Sequence, residues 1–308
     1  MKTPKWFLKR NLISWSLCPL SLFYFIGSRL VFNIRKKCEY ISQRPIICFG
    51  NILSGGVGKT PIVRNIAKVF DSPVVMRGYK KSKKTGDVGD EAKMLSNDGI
   101  LVHVGNRKSN LILLNKQKDK TPIIMDDGFQ NPTIKKDISV LVFDESIGFG
   151  NGFLLPAGPL RENKSAIMRA DAIILIKQKN VAKRFSLPTN IPIFKAYNTE
   201  ECPYTKNTRV IAFAGIGYPE KFFNNITCKI VEKISFPDHY QYSDDDIKKL
   251  INKAKDKNAQ LLTTEKDWMR IPEWAKQDIK FSKLNTEIEK SFYDWLKGRI
   301  NDIYNKKN

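Results

Sequence analysis

A glycine-rich segment that ends in lysine and threonine is the part of this sequence that most directly indicates chemistry. It follows an apolar run, opens a predicted helix and reads Ser54-Gly55-Gly56-Val57-Gly58-Lys59-Thr60. Glycines let backbone N–H groups curl around phosphate oxygens, and a helix N-terminus adds partial positive charge. The lysine of such a loop reaches the β- and γ-phosphates of ATP. We predict an ATP site over these residues and Leu53, which replaces the first glycine of the usual spacing, with Lys59 also catalytic.

Two adjacent aspartates, Asp126 and Asp127, follow a second apolar run. An apolar strand ending in acidic residues is typical of the element that lies beside Mg²⁺ in phosphate-loop proteins, at the carboxyl edge of the sheet. Neighbouring residues on an extended chain point to opposite faces, so one carboxylate should lie closer to the metal, and the sequence does not say which. We predict Mg²⁺ as a cofactor, with Thr60, Asp126 and Asp127 as metal residues. A structural Asp-Gly turn is the alternative.

Alternating apolar runs and helical stretches from Pro45 onward predict the fold. The runs have the length and composition of buried parallel strands, and the alternation is typical of a doubly wound sheet. A further αβ section begins at about Ile191, and Ser243 with Asp246 predicts the start of a helix within it. We therefore predict an α/β fold of the P-loop NTPase type with a mainly parallel sheet over residues 45–190. A second, smaller α/β domain is expected over residues 191–308.

The first 44 residues are apolar and basic, and we predict that they form a membrane-associated segment. Asn11 to Ser28 carry no charge, and Arg10 and Arg29 bound this run of 18 residues. That length is at the lower limit for spanning a bilayer, and Pro19 argues against a simple span. Aromatic and apolar residues with basic flanks suit an anionic membrane surface. An interfacial or shallowly inserted helix is the favoured interpretation, with a true span and a buried helix as alternatives.

Composition limits the class of protein without choosing a partner. Hydrophobic residues make up 42% of the 308 residues, as in folded proteins, and the net charge of +22 favours polyanionic partners or phosphorylated substrates. The same charge also fits a merely lysine-rich composition. The five cysteines have no C-x-x-C spacing, which argues against a zinc cluster or a disulfide framework.

A series of short motifs resembles tetraacyldisaccharide 4'-kinase, the lipid A kinase family of Gram-negative bacteria. The resemblance runs from about residue 10 to residue 270. Its motifs occur in the order found in that family: GGVGKTP, RGY (77–79), GDE (89–91), DDGFQ (126–130), GFGNGFLLPAGPLRE (148–162), AGIG (214–217) and TEKD (264–267). The string LPAGPLRE is the most specific, because no general logic of nucleotide binding requires it.

The resemblance implies an activity and a location. Enzymes of this kind transfer the γ-phosphate of ATP to the 4'-hydroxyl of a lipid A disaccharide 1-phosphate, giving lipid IVA in lipopolysaccharide biosynthesis. They act with Mg²⁺ at the cytoplasmic face of the inner membrane. The expected partners are therefore the lipid substrate and an anionic membrane surface, with no nucleic acid and no obligate protein partner.

The resemblance also implies roles for individual residues. Asp90 of the GDE motif resembles the base that receives the hydroxyl proton, and His239 resembles its partner. The residues that would line the substrate and phosphate region are Tyr79, Arg107, Gln130, Arg161 and Glu162. We interpret the AGIG and TEKD motifs as structural. Two positions depart from the family pattern, which commonly has histidine where this chain has Asn131 and proline where it has Ala92.

Three other classes of protein compete with this interpretation. A membrane-associated P-loop ATPase of the partitioning or metal-insertion type shares GGVGKT, but it commonly has lysine in place of Ser54 and has no use for LPAGPLRE. A GTPase would carry an N-K-x-D motif, which this sequence lacks. A basic nucleic-acid-binding protein is disfavoured because the sequence contains no recognised nucleic-acid module.

Overall fold

The structure is a computed structural model of the 308-residue chain, and it describes residues 4–77, 89–178 and 185–307. The chain divides into two compact units, which are described separately. The larger unit comprises Pro4–Tyr197 and Thr286–Asn308, and the smaller unit comprises Asn198–Asn285.

The larger unit alternates strands with helices. Its strands are β1 (Ile46–Gly50), β2 (Val74–Met76), β3 (Val102–Val104), β4 (Ile123–Asp126), β5 (Ile138–Asp144), β6 (Ala172–Lys177) and β7 (Ile193–Glu201), the last of which runs on into the smaller unit. Its α-helices are α1 (Leu12–Ser16), α2 (Cys18–Lys36), α3 (Lys59–Val69), α4 (Asp90–Asn97), α5 (Arg107–Asn115) and, at the C-terminus, α9 (Lys290–Lys307). Short 3-10 helices occur at Lys5–Phe7 and Lys164–Arg169.

The strands of the larger unit are parallel, in the order β3-β2-β4-β1-β5-β6-β7. Strand β1 lies between β4 and β5, so the strand order reverses beside it, and ligands of open α/β sheets bind at such a point. The register places Phe49 beside Asp126. The residues after β1 and those after β4 therefore meet at one carboxyl edge of the sheet.

Burial explains why these runs form strands and helices. All five residues of β1 and all seven of β5 are buried, as expected for strands covered on both faces. Helix α3 contributes Ile62 and Ile66 to the same core. Helix α9 contributes Phe292 and Leu296, which are four residues apart and so share one face. The predicted α/β fold with a mainly parallel sheet is confirmed.

The smaller unit is also parallel α/β. Its strands lie in the order β11-β10-β8-β9, and its helix α7 has the predicted capping box, in which Ser243 and Asp246 cap each other's backbone N–H. Strands β9 and β11 have mixed burial and were not predicted from apolar runs. The elements are β8 (Arg209–Ala214), α6 (Pro219–Asn225), β9 (Lys229–Ser235), α7 (Asp244–Asp256), β10 (Gln260–Thr264), α8 (Glu265–Trp268) and β11 (Ile279–Ile288), with a 3-10 helix at Glu273–Ala275.

The division into units differs from the expected one at the C-terminus. We expected residues 191–308 to form one smaller domain, whereas residues 286–308 belong to the larger unit. The physical reason is the apolar face of α9, on which Phe292, Leu296 and Ile300 are buried in the core of the larger unit.

The N-terminal segment forms helices α1 and α2. Within α2, whose residues are all described, only Ser21 is buried, so α2 is not a buried core helix. Exposed apolar side chains of the two helices include Leu12, Trp15, Leu20, Leu22, Phe23, Ile26, Leu30 and Ile34. None of the described helices has both the length and the apolar character that crossing a membrane requires.

Candidate active site

The glycine-rich loop joins β1 to α3, and its backbone explains its glycines. Gly55 and Gly58 have φ of 111° and 83°, a left-handed region that side-chain-bearing residues rarely adopt. Helix α3 begins at Lys59, so the lysine and Thr60 form its first turn. At the departure from the usual spacing, Leu53 is buried and forms a β-bridge with Leu160 of the LPAGPLRE segment.

The LPAGPLRE segment lies directly against the loop. The backbone N–H of Ser54 donates to the carbonyl oxygen of Pro159 at 2.7 Å, and that of Arg161 donates to the carbonyl oxygen of Ile52 at 2.8 Å. These bonds hold Arg161 next to the loop. The segment that sequence logic left unexplained therefore supports the loop and supplies a cation beside it.

The two aspartates occupy different backbone environments. Asp126 is the last residue of β4, whereas Asp127 has φ of 50° and lies beyond the strand. The expectation that both would lie on an extended chain was therefore wrong. The Arg107 guanidinium fixes this turn, because Nη2 donates to the carbonyl oxygens of Asp126 at 2.6 Å and Asp127 at 3.0 Å. Arg107 thus binds backbone at this point.

The Asp127 carboxylate lies between two cations. Lys59 Nζ is 3.0 Å from its Oδ1, and Arg161 Nη1 is 3.0 Å from its Oδ2. Burial alone would raise the pKa of Asp127, but the charges and hydrogen bonds of Lys59 and Arg161 outweigh it and lower the pKa to about 2. The loop lysine and Arg161 are thus held together by one ionised carboxylate.

Asp126 differs from Asp127 in the hydrogen bonding of its carboxylate. It is buried, and among the described residues its Oδ1 has no hydrogen-bond partner. Burial raises the pKa of Asp126 to about 7, with Glu91 and Asp127 adding to the rise and Lys59 opposing it. A bound cation would satisfy this oxygen and favour the ionised form. The electrostatic effect of Glu91 also identifies an acid that the sequence analysis left without a role.

The remaining predicted substrate residues make the following contacts. Gln130 Nε2 donates to the carbonyl oxygen of Asn51 at 2.7 Å, just before the loop. Glu162 Oε2 accepts from Arg169 Nη2 at 2.5 Å, while its buried Oε1 has no hydrogen-bond partner within the described ranges. Arg161 and Glu162 therefore have separate partners. Tyr79 lies outside the described residues.

Asp90 and His239 lie in different units. Asp90 is the first residue of α4, half-buried, and follows Gly89. His239 lies between β9 and α7 with φ of 57°, and its side chain is 55% exposed. Its Nε2 is 3.9 Å from Asp238 Oδ1.

Comparison with known proteins gives the family. The sequence profile of the tetraacyldisaccharide-1-P 4'-kinase family, LpxK, matches residues 13–301. The chain belongs to this family. The tetraacyldisaccharide 4'-kinase of Rickettsia bellii is 36% identical over 289 residues, covering 87% of this chain and 89% of the relative. The enzyme of the same name from Paramagnetospirillum magneticum is 36% identical over 295 residues, covering 88% and 90%.

A solved structure supports the same assignment. The "apo" form of LpxK from Aquifex aeolicus in complex with ATP matches with a TM-score of 0.74 and 27% identity, covering 95% of this chain and 99% of that one. The predicted family, the ATP-dependent lipid A 4'-kinase function and the fold class are therefore confirmed. The alternative of a partitioning or metal-insertion ATPase is not supported.

One departure from the family pattern has a local explanation. The Asn131 Oδ1 accepts from the backbone N–H and the hydroxyl of Thr133, at 3.0 and 2.8 Å. Asparagine closes a short turn here. This position of the kinase is therefore used for turn structure.

Proposed function

We propose that this kinase phosphorylates the 4'-hydroxyl of a lipid A disaccharide 1-phosphate at the site built around Asp127. The observation that carries the proposal is the meeting of Lys59 and Arg161 on one carboxylate, next to a glycine-rich loop and to an Asp126 oxygen that has no hydrogen-bond partner among the described residues. Phosphoryl transfer depends mainly on positioning and on neutralising charge. Two cations and a loop of N–H donors at one sheet edge meet that requirement.

In this proposal Lys59 neutralises the β- and γ-phosphates, and Arg161 neutralises the transferred group. In the described structure both cations pair with Asp127, so phosphate would compete with this carboxylate for them. Asp127 would thereby hold the Lys59 and Arg161 side chains together before the nucleotide binds. The loop itself, residues 53–60, contributes its backbone donors.

The site also suits Mg²⁺. Hard cations prefer oxygen ligands, and the Oδ1 of Asp126 is a buried carboxylate acceptor to which none of the described residues donates a hydrogen bond. Asp126 and the Thr60 hydroxyl would hold the ion with the phosphates, and Asp127 would serve it secondarily because Lys59 and Arg161 already occupy its oxygens. When bound, Mg²⁺ supplies charge neutralisation of the phosphates.

Proton transfer is assigned to Asp90, whose carboxylate would accept the proton of the 4'-hydroxyl. His239 would orient and tune that carboxylate. Support comes from the motifs around both residues and from the position of Asp90 on α4 beside Glu91. Tyr79, Arg107, Gln130 and Glu162 remain proposed residues of the substrate region.

Attachment to the membrane is assigned to α1 and α2, at the cytoplasmic face of the inner membrane. Apolar side chains exposed on these helices, such as Leu12, Phe23 and Ile34, support it, together with Arg29, Arg35 and other basic residues. Such a helix lies in an anionic interface with its apolar side inward.

The activity is tested by transfer of labelled phosphate from ATP to a lipid A disaccharide 1-phosphate in detergent micelles. We expect a product labelled at the 4'-position and no transfer when the 4'-hydroxyl is blocked. ATP hydrolysis without lipid labelling would contradict the proposal.

Attachment is tested separately with vesicles containing anionic lipid. Changing Leu12, Phe23 and Ile34 together to glutamine should release the protein, and high salt should weaken binding of the unchanged protein. Leu101→Gln with Leu113→Gln is a matched control, because both side chains are exposed and lie outside the N-terminal segment. Release by the control, or unchanged binding by the triple variant, would place the attachment elsewhere.

A further inference from the structure

Two motifs of the sequence, AGIG and TEKD, have no part in the proposed reaction. The structure brings them together in the smaller unit, immediately behind the loop that carries His239. The junction is a hydrogen bond at 3.0 Å from the backbone N–H of Gly215, in AGIG, to Oδ2 of Asp267, in TEKD.

Asp267 is fully buried and fully used as an acceptor. Besides Gly215, its carboxylate accepts from the Thr264 hydroxyl at 2.7 Å and from the Tyr242 hydroxyl and Arg270 Nη1, both at 3.1 Å. Burial and the charge of Asp267 raise the pKa of Tyr242, so the phenol remains a donor. A buried carboxylate with this many partners is rigid.

The network continues to the backbone on both sides of His239. The carbonyl oxygen of Gly215 accepts from the His239 N–H at 3.0 Å and from Arg270 Nη1 at 3.2 Å. Arg270 Nη1 also lies 3.4 Å from the carbonyl oxygen of Tyr240. Asp267 therefore binds both residues that contact the backbone of this loop. Gly215 accepts the His239 N–H, and Arg270 reaches the carbonyl oxygen of Tyr240.

The backbone of His239 needs this support. Its φ of 57° is in the left-handed region, which a residue with a side chain occupies at a cost unless its surroundings hold it. Aromatic rings of the same chain segment also pack together, with Phe236, Tyr240 and Tyr242 at centroid separations of 4.8 to 5.3 Å. The imidazole itself is half-exposed, so its position follows from its backbone.

Gly215 shows how closely these parts fit. A Cβ at this position would meet Asp267 Oδ1 at 3.0 Å, the carbonyl oxygen of Pro237 at 3.1 Å and Tyr240 Cβ at 3.1 Å. Pro237 and Tyr240 flank His239 in the sequence. A methyl group at Gly215 would thus push on the loop without touching the imidazole.

We propose that Asp267, acting through Gly215 and Arg270, is a positioning residue that fixes the His239 imidazole for proton transfer. This inference rests on the proposed role of His239. Neither Asp267 nor Gly215 would touch the substrate. Their effect would be to hold the one backbone conformation that positions the imidazole.

Kinetics of Asp267→Asn and Gly215→Ala provide the first test. The side-chain amide introduced by Asp267→Asn would present donors to Gly215, Tyr242 or Arg270, and the methyl group added by Gly215→Ala would displace the loop. Each change should lower kcat about tenfold or more, as expected for a misplaced catalytic group, and leave the KM for ATP within about twofold. Asp256→Asn, at an exposed site, and Gly298→Ala, at a site with open space, should leave kcat unchanged.

A second arm separates positioning from general destabilisation. In a His239→Ala background neither change should lower kcat further, because the group they position is gone. Further multiplying losses in that background would overturn the inference. Tyr242→Phe removes a single donor and serves if Asp267→Asn fails to fold. It should show a smaller loss of the same kind.

A spectroscopic arm does not depend on activity. The chain has two histidines, so the imidazole NMR signals are assigned by the loss of one in His239→Ala. Asp267→Asn and Gly215→Ala should shift and broaden the His239 signal and leave that of His103 in place. An unshifted His239 signal, or normal kcat in both variants while His239→Ala is impaired, would overturn the inference. Normal kcat in His239→Ala would instead reject the proposed role of His239.

Discussion

In the larger unit Lys59 and Arg161 both pair with Asp127, whereas in the smaller unit Asp267 is satisfied by hydroxyl, backbone and guanidinium donors around its own loop. The first carboxylate holds cations that a phosphate would also attract. The Asp267 carboxylate instead fixes the backbone, because it accepts the N–H of Gly215. Ion pairs thus hold the two side chains that we propose to bind phosphate, while a buried hydrogen-bond network holds the loop that carries His239.

The difference matters because the two arrangements respond differently to a change. Removing Asp127 leaves two neighbouring cations without their shared anion, and removing Lys59 or Arg161 takes away a cation that a phosphate would use. Removing a donor from Asp267 leaves three others. We therefore expect steep losses of function in the larger unit and graded losses in the His239 loop.

The largest effect is expected from Lys59→Ala. It removes the charge that we propose to neutralise the β- and γ-phosphates and also one of the two cations on Asp127, so turnover should fall about 10³-fold or more. Lys68→Ala, at the other end of the same helix, is the control and should keep normal turnover. Activity near that of the wild type in Lys59→Ala would reject the phosphate-loop assignment. The readout is labelled phosphate transfer to the lipid acceptor.

Asp90 in the larger unit and His239 in the smaller unit are proposed to act together, and combined substitutions test this coupling. Asp90→Ala and His239→Ala should each lower kcat about 10²-fold, the usual contribution of a positioned acid or base, with ATP binding largely intact. The double variant should be little worse than the poorer single variant. Multiplying losses would reject the coupled pair and leave the kinase assignment standing. Equilibrium binding of ATP, measured beside kcat, checks that the nucleotide site is unaffected.

Sequence reasoning was most successful where burial follows a simple rule. Fully buried parallel strands such as β1 and β5 are continuous apolar runs, and both were predicted. Strands β9 and β11 expose part of their length and carry many polar residues, so they contain no apolar run from which they could be predicted. The apolar residues of helix α9 have helical spacing, so the helix itself was predicted. That spacing does not indicate against which unit the apolar face packs.

The site was predictable in its residue types and less so in its geometry. The glycine-rich loop and the two aspartates were predicted from their position after apolar runs, and their roles stay predictions. That Asp127 leaves the strand with a positive φ and pairs with Lys59 and Arg161 depends on contacts made across 34 residues or more, which no local pattern encodes. The same holds for Gly215 and Asp267, which are 52 residues apart and looked like separate turns.

Separate asparagine substitutions should distinguish the two aspartates. Asp126→Asn removes the carboxylate whose Oδ1 lacks a hydrogen-bond partner in the described part of the chain, so the Mg²⁺ concentration for half-maximal activity should rise about tenfold or more. Asp127→Asn should mainly lower kcat, because it leaves Lys59 and Arg161 facing each other without their shared anion. A Mg²⁺ titration of each variant measures both effects. Unchanged Mg²⁺ dependence in both would mean that neither aspartate serves the metal.

The smallest expected effect is on stability. It follows from comparing the pKa of Asp127 in the larger unit with that of Glu200 in the smaller unit. Asp127 has a pKa of about 2, below its usual value, so its stabilising contribution is complete above about pH 4. In the smaller unit, burial raises the pKa of Glu200 to about 7, against a lowering hydrogen bond from the Ser282 hydroxyl at 2.6 Å. The native state therefore holds a proton on Glu200 that the unfolded state releases near pH 4.5.

Stability should accordingly fall as pH rises from about 4.5 to about 7, because the native state binds the extra proton in that window. Glutamine is neutral at every pH and can still bond Ser282. Glu200→Gln should match the wild type near pH 4 and exceed it at pH 8 by about 2 kcal/mol, a rise of a few degrees in the unfolding temperature. Thermal unfolding at the two pH values measures this, with Glu201→Gln at the exposed neighbouring position as the control. Equal gains at both pH values would mean that the variant acts through packing and not through the proton on Glu200.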